Sequence, residues 1–193
     1  MKKLEECTFG FVGLGLMGGA LAIALKKENI LGSHSRILAY DVDNNILQQA
    51  KEQCVIDESF VDPVLMLKQC DVVFICLNPR AEVRFMEEHI HDFLPGTLIT
   101  DISGVKQRTI EQIEAILLDT VDFIPGHPMA GREKGGFSEA ARCNFHGKNY
   151  ILTPLKRNKE ENLRFMKELI QRIGFAHITE TTPLDHDRKI AFT

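Results

Sequence analysis

Three glycines with the spacing G-x-G-x-x-G follow an apolar run near the start of the chain. Gly13, Gly15 and Gly18 stand between a strand-like segment, 9–12, and a stretch of Ala, Leu and Ile with helical propensity. Dinucleotide-binding sites use this order of strand, glycine turn and helix. Gly13 permits the tight turn, Gly15 lets the main chain approach a pyrophosphate, and Gly18 lets the helix pack closely on the strand. The spacing therefore predicts a dinucleotide site.

Leu16 and Met17 stand between the second and third glycines, where the predicted helix 17–27 begins. The first N–H groups of a helix have no partner inside the helix, and the helix dipole places partial positive charge there. We expect these backbone groups to face the phosphates of the cofactor. Asn78 follows a later apolar run and is predicted to reach the same crevice, although the start of a helix explains Asn78 equally well.

An acidic residue ends the second apolar run, 37–40. Asp41 stands roughly 20 residues after Gly18, where a carboxylate accepts hydrogen bonds from the ribose hydroxyls of the adenosine. The same carboxylate repels a 2′-phosphate, and no Lys or Arg occurs between Asp41 and Lys51. The sequence therefore predicts NAD as the cofactor in preference to NADP. A turn residue that opens the helix near Asn44 is the alternative interpretation of Asp41.

A long polar segment rich in glycine, 125–147, follows the apolar run 121–124. Segments in this position of an open α/β sheet bind ligands. His127 stands near its start in a rigid frame of glycine and proline, where an imidazole is suited to proton transfer near neutral pH. The alternative is a histidine whose ring is satisfied by backbone groups in a turn.

Polar residues also follow the preceding apolar run, 97–100, at the same predicted edge of the sheet. Ser103 is predicted either to cap the next helix or to donate its hydroxyl to a substrate. Lys106 is either a solvated residue of the first helical turn or a cation placed near a substrate carboxylate. Both residues are expected to face the crevice that holds the cofactor.

Length and composition favour one globular domain, or one domain plus a fragment. The chain has 193 residues, of which 44% are apolar and 26% charged, and its net charge is −4 with no basic stripe. We therefore expect no nucleic-acid partner, and we expect no membrane partner because no apolar run approaches a spanning length. Five cysteines without a C-x-x-C pair favour the reducing cytoplasm, and seven scattered histidines suggest no metal site.

Strand-like and helix-like segments alternate along the whole chain. Predicted strands lie at 8–12, 36–40, 71–77, 97–100, 121–124, 148–152 and 175–178, and predicted helices at 17–27, 43–52, 63–68, 79–92, 105–118 and 159–173. The run from Val72 to Leu77 is continuously apolar, which is typical of a parallel strand covered on both faces. We therefore predict an α/β fold with a Rossmann-like, doubly wound and mostly parallel sheet.

Several motifs occur along the chain in the order GLGLMGG, Asp41, DISGVK, HPMAGREKGG, ILTP and LDHD. In this set the chain resembles the prephenate dehydrogenase family, which includes the arogenate dehydrogenases of tyrosine synthesis. The resemblance runs from Thr8 to Thr193, and HPMAG followed by EK and glycine is its most specific part. The glycine motif by itself does not separate this family from β-hydroxyacid dehydrogenases.

The resemblance implies NAD-dependent oxidative decarboxylation of prephenate to 4-hydroxyphenylpyruvate. In that family the histidine that matches His127 hydrogen-bonds the ring hydroxyl of prephenate and helps to remove its proton. Hydride leaves the same carbon for NAD⁺, and loss of carbon dioxide completes the aromatic ring. His127 and Ser103 are the expected catalytic residues. An arogenate dehydrogenase, or an NAD-binding module without activity, is the alternative.

Two differences from the family pattern concern hydroxyl groups. The serine that commonly precedes the Val-Lys pair is Gly104 here, with Ser103 one position earlier. The serine that commonly follows Glu-Lys is Gly135. A shift of one residue can reverse the direction in which a side chain points, so we expect weakened or rearranged substrate contacts.

A third difference concerns length. The family continues from the LDHD helix into an all-helical domain that forms the dimer, closes over the substrate and contributes an arginine. We therefore divide this chain into an NAD-binding domain, 1–181, and the start of a helix, 182–193, that leads into a helical domain absent from the sequence. A homodimer is expected only with that domain.

Overall fold

The computed structural model describes residues 2–28, 30–131 and 134–192. Arg132 and Glu133 of the HPMAGREKGG motif lie outside the described residues. The strands of the described part are β1 (Thr8–Val12), β2 (Arg36–Tyr40), β3 (Glu58–Phe60), β4 (Val72–Ile75), β5 (Leu98–Asp101), β6 (Asp122–Phe123), β7 (Gly126–Pro128), β8 (Asn149–Leu152) and β9 (His177–Glu180). The α-helices are α1 (Leu16–Lys27), α2 (Asn44–Glu52), α3 (Pro63–Leu67), α4 (Pro79–His89), α5 (Gln107–Glu114), α6 (Glu160–Ile173) and α7 (Pro183–Ile190).

Strands β1 to β6 form one parallel sheet in the order β3-β2-β1-β4-β5-β6. This is the strand order of doubly wound dinucleotide-binding sheets, so the predicted Rossmann-like α/β fold is confirmed. Val12, Ile75 and Asp101 lie side by side in the register of β1, β4 and β5. The segments that follow these three strands therefore leave the sheet together at its carboxyl edge.

Two apolar cores cover the two faces of this sheet, because successive strand residues point to opposite sides. On one face, Phe11 and Phe74 stack with ring centroids 4.9 Å apart and pack with α1 and α6. On the other face, Val73 and Ile75 pack with α3, α4 and α5. Burial on both faces explains why these strands are continuously apolar in the sequence.

Strands β7, β8 and β9 form a separate three-stranded sheet, in which β7 and β8 are antiparallel and β8 and β9 are parallel. The sequence predicts strands at 148–152 and 175–178 without indicating that they belong to a second sheet. Strands β3 and β7 were not predicted. They have three residues each, too few to display a strand pattern, so pairing with neighbouring strands decides their conformation.

The long polar segment 125–147 contains β7 and a 3₁₀ helix, Phe137–Arg142. This 3₁₀ helix packs directly on α1, since a Cβ on Gly19 would lie 2.7 Å from the ring of Phe137. Phe137 and Ala140 are buried in the contact. Glycine at position 19 thus permits a close approach that the polar composition of the segment does not reveal.

Within the described residues, no helix is both long enough and apolar enough to cross a bilayer.

A buried carboxyl group lies close to the end of β5. Glu82 in α4 has no solvent exposure, and within the described residues neither carboxyl oxygen has a hydrogen-bond partner of normal geometry. Burial raises the pKa of Glu82 well above its ordinary value, and the nearby carboxylate of Asp101 raises it further. The protonated form of Glu82 is therefore favoured in the folded chain.

Glu82→Gln is expected to stabilise the chain increasingly as the pH rises above 4.5, the ordinary pKa of this side chain. The unfolded chain releases its proton near that pH while the folded chain retains it, so the native Glu82 lowers stability as the pH rises. Glutamine removes this penalty. Urea unfolding at several pH values measures the difference, with Glu87→Gln on the exposed face of α4 as the matched control. An effect of Glu82→Gln that is independent of pH would contradict the prediction.

Candidate functional site

The glycine turn after β1 packs against the first residue after β4. Gly13 has a φ of +92°, which favours glycine, and a Cβ there would lie 2.9 Å from the carbonyl oxygen of Cys76. A Cβ on Gly18 would overlap the carbonyl oxygen of Gly13. The packing of the chain itself therefore requires glycine at positions 13 and 18.

Gly15 is in a different environment. A Cβ on Gly15 would meet no atom of the described residues within 4 Å, and its φ of −63° suits any residue. Gly15 is the N-cap of α1, no side chain caps this end of the helix, and its first turn holds no acidic residue. The N–H groups of the turn that begins with Leu16 and Met17 are thus left to solvent or to an anion.

Asp41 follows β2 and contacts the glycine turn. Its Oδ2 accepts a hydrogen bond of 2.7 Å from the N–H of Leu14, and its Oδ1 accepts one of 2.9 Å from the N–H of Asp43. The first of these bonds brings the carboxylate to the glycine turn, and the second closes a local turn. The side chain that caps α2 is Asp43, whose Oδ1 accepts from the N–H of Asn45.

Asn78 is the N-cap of α4, directly after β4. Its Oδ1 accepts a hydrogen bond of 3.0 Å from the N–H of Ala81. The side-chain oxygen of Asn78 therefore caps α4, as expected if Asn78 marks the start of a helix. The side chain is exposed at the carboxyl edge of the sheet, and its amide group is the part left for a ligand.

Asp101, the last residue of β5, links three segments at this edge. Its Oδ2 accepts hydrogen bonds from the ammonium group of Lys106 at 2.5 Å and from the N–H of Ser103 at 2.9 Å. Its Oδ1 accepts one of 2.9 Å from the N–H of Gly126 at the start of β7. Lys106 is fully buried in this ion pair rather than solvated, which differs from the simpler sequence interpretation.

Ser103 and Gly104 occupy the turn between Asp101 and α5. The hydroxyl of Ser103 donates to the carbonyl oxygen of Val105 at 3.1 Å and accepts from the N–H of Val105 at 3.3 Å, so it closes this turn and caps no helix. A Cβ on Gly104 would lie 3.5 Å from both Cε1 and Nε2 of His127. The structure therefore places position 104 directly beside the imidazole, while the hydroxyl of Ser103 bonds to Val105.

His127, the central residue of β7, is half-buried, and its ring lies edge-on to that of His186 in α7. Its Nδ1 is 2.9 Å from Nε2 of His186, and Nδ1 of His186 is 2.8 Å from Oδ1 of Asp187. The alternative interpretation predicts that backbone groups satisfy the ring. The partner of Nδ1 of His127 is instead a side chain 59 residues away in the sequence.

Burial lowers the pKa of His127 to about 4, and the nearby Lys106 ammonium and His186 lower it as well. The carboxylates of Asp101 and Asp187 act in the opposite direction with smaller effects. This low pKa favours the neutral imidazole at neutral pH, in which one ring nitrogen carries a lone pair that can accept a hydrogen bond or a proton. A neutral imidazole in this position can accept a proton from a hydroxyl group.

Asp187 joins α7 to the start of α5. Its Oδ1 accepts a hydrogen bond of 2.8 Å from the N–H of Lys106, and its Oδ2 accepts one of 2.9 Å from the N–H of Gln107. Burial alone would raise the pKa of Asp187, but these two bonds and the one from His186 hold it below its ordinary value. Asp187 thus caps α5 from a distant segment and anchors His186, which is fully buried.

His186 and Asp187 are functional-site candidates that the sequence motifs did not predict. Their only signal in the sequence is the LDHD motif, which contributes to the family resemblance alone. Nothing in that motif shows which distant side chain the imidazole would contact. In the described segments, no three His, Cys, Asp or Glu side chains cluster closely enough to hold a metal ion.

A family model and individual relatives agree on one protein family for this chain. Residues 21–179 match the model of the prephenate dehydrogenase nucleotide-binding domain. The prephenate dehydrogenase of Bacillus subtilis is 30% identical over 188 residues, which cover 97% of this chain and 49% of that protein. The chain therefore spans about half the length of this relative.

Solved structures share the same fold. The prephenate dehydrogenase of Aquifex aeolicus, in complex with hydroxyphenyl propionate and NAD⁺, superposes with a TM-score of 0.83 at 26% identity, over 96% of this chain and 63% of that chain. The arogenate dehydrogenase of Synechocystis superposes with a TM-score of 0.84 at 27% identity, over 95% of this chain and 63% of that chain.

Acidification is expected to destabilise the chain through His127 between pH 6.5, its ordinary pKa, and about pH 4, its pKa in the fold. In that range the unfolded chain binds a proton at this ring and the folded chain does not, so stability falls with pH. His127→Gln should reduce this loss by about 2 kcal/mol, a value lowered for partial exposure. Urea unfolding across the range tests it against His177→Gln, an exposed control in β9. Equal pH profiles for both variants would disprove the assignment.

Proposed function

Because this chain belongs to the family of prephenate dehydrogenase nucleotide-binding domains, we propose that it binds NAD and acts in the oxidative decarboxylation of prephenate to 4-hydroxyphenylpyruvate. Arogenate is the alternative substrate, since an arogenate dehydrogenase has the same fold at similar identity. The observation that carries the proposal is the position of His127. Its imidazole lies at the carboxyl edge of the main sheet, and the glycine turn lies at the same edge. The low pKa of His127 favours the uncharged ring.

The residues of the glycine turn fit NAD. The open space at Gly15 and the uncapped first turn of α1 suit the pyrophosphate, because no described residue lies within 4 Å of a Cβ at that position. Each oxygen of Asp41 accepts one backbone hydrogen bond and keeps a second lone pair for a ribose hydroxyl. The negative charge of Asp41 disfavours the 2′-phosphate of NADP.

His127 is the general base of the proposed reaction. NAD, when bound, supplies the acceptor for the hydride that leaves the hydroxyl-bearing carbon of the substrate. His127 accepts the proton of that hydroxyl, which favours departure of the hydride from the same carbon. The ring must present an unprotonated nitrogen for this role, and its low pKa supports that state at neutral pH.

Ser103 and Gly104 contribute to the substrate side of the site through the backbone. The turn that Ser103 closes sets Gly104 against the ring of His127. A side-chain hydroxyl at position 104 would stand next to Nε2, and this chain has none there. We propose that the substrate hydroxyl contacts His127 without a neighbouring serine.

Gly15→Ala is expected to weaken NAD binding about tenfold or more, roughly 1.4 kcal/mol, while leaving the unfolding free energy unchanged. A Cβ at this position meets no atom of the described residues within 4 Å but occupies the space assigned to the pyrophosphate. Isothermal titration calorimetry with NAD and NADP measures affinity and preference. Gly18→Ala is the contrasting variant, because its Cβ would overlap Gly13 and lower stability. Unchanged NAD affinity in Gly15→Ala, or equal affinities for NAD and NADP in the wild type, would contradict the assigned site.

His127→Asn is expected to lower the rate of NADH formation from prephenate by about 10²–10⁴, the usual contribution of a positioned general base. NAD affinity should stay close to the wild-type value, because the glycine turn does not contain His127. The assay uses this chain with saturating NAD⁺ and with prephenate or arogenate in parallel. The matched control is His177→Asn, an exposed residue of β9 in the same small sheet.

Two outcomes would overturn the proposed reaction. Wild-type turnover in His127→Asn would show that His127 is structural. NAD binding by the wild-type chain without turnover of either substrate would favour the NAD-binding module without activity, an alternative consistent with a chain that spans about half the length of its Bacillus subtilis relative.

A further inference from the structure

Three side chains from two distant segments form a continuous hydrogen-bonded series at the site. Asp187 Oδ1 lies 2.8 Å from His186 Nδ1, and His186 Nε2 lies 2.9 Å from His127 Nδ1. We propose that His186 and Asp187 are positioning residues that hold His127 in the tautomer with its proton on Nδ1, so that Nε2 faces the substrate as the base. The catalytic consequence of this arrangement rests on the proposed function, whereas the hydrogen bonds and the tautomer do not depend on it.

The direction of each hydrogen bond follows from Asp187. Its carboxylate accepts from two backbone N–H groups, those of Lys106 and Gln107, and these bonds favour its ionised form. An ionised carboxylate has no hydrogen to donate, so Nδ1 of His186 must be the donor in the bond between them. The proton of a neutral His186 therefore lies on Nδ1.

The same reasoning extends to the second imidazole. A neutral His186 with its proton on Nδ1 has only a lone pair on Nε2, so the hydrogen in the bond to His127 must come from Nδ1 of His127. Nε2 of His127 then carries a lone pair. This nitrogen is on the side of Gly104, where a Cβ would lie 3.5 Å from it.

Burial and backbone hydrogen bonds hold the His186–Asp187 end of the series. His186 is fully buried, and Asp187 is fixed by the first N–H groups of α5, which no side chain of its own segment caps. In many sites a hydrogen bond to one ring nitrogen fixes the tautomer of a histidine, and the other ring nitrogen takes part in the chemistry. Burial has the largest effect on the pKa of His127 and lowers it. Among the described residues, the groups that face the ring are Lys106 and His186, which also lower this pKa, and Asp101 and Asp187, which raise it.

Heteronuclear NMR of the imidazole nitrogens tests the inference on the wild-type chain at pH 7, without substrate or cofactor. The expected spectrum shows His127 protonated on Nδ1 and unprotonated on Nε2. A proton on Nε2 of His127 would overturn the inference whether or not the chain turns over prephenate. Failure of the proposed function, in contrast, would appear as absent turnover with the expected tautomer in place.

Variants of His186 separate positioning from a purely structural role. His186→Leu removes the acceptor, and His127 should then show a mixture of tautomers and a turnover lowered about tenfold or more, with unchanged NAD affinity. His186→Gln retains an oxygen near the position of Nε2, so it should restore the single tautomer and most of the turnover. Asp185→Asn, an exposed change in the same helix, is the control. If His186→Leu folds and keeps the wild-type tautomer, or if His186→Gln restores stability but not the tautomer, the inference is wrong.

Discussion

The carboxylate of Asp101, buried at the end of β5, accepts hydrogen bonds from the ammonium group of Lys106 and from the N–H groups of Ser103 and Gly126. These bonds fix the turn before α5 and the start of β7 relative to the main sheet, and β7 carries His127. Removing one partner of a buried ion pair leaves an uncompensated charge and typically costs about 3–5 kcal/mol. The geometry of the site and the stability of the sheet edge therefore depend on the same group.

The Asp101–Lys106 ion pair also influences His127, the proposed base. The ammonium group of Lys106 adds to burial in lowering the pKa of His127 to about 4, which keeps the ring unprotonated but makes it a weak base in the free chain.

Much of the central sheet could be predicted from the amino-acid sequence. Continuous apolar runs indicated β1, β2, β4 and β5, and the glycine spacing indicated the turn after β1 and the helix that follows it. These features depend on local interactions: strand burial, the φ freedom of Gly13 and the close approach at Gly18. The short strands β3 and β7 and the 3₁₀ helix at Phe137–Arg142 could not be predicted, because contacts with distant segments stabilise them.

The sequence by itself determined the fold class, the glycine turn, the acidic residue after β2 and the histidine in a Gly/Pro frame. Tertiary structure decided how the site is assembled. It buried Lys106 against Asp101, turned the hydroxyl of Ser103 to Val105, and joined His127 to His186 across 59 residues. The physical reason is that backbone conformation and apolar periodicity depend on residues that are close together in the sequence. The partner of a buried polar side chain is set instead by which distant segments the packed core brings within hydrogen-bonding distance.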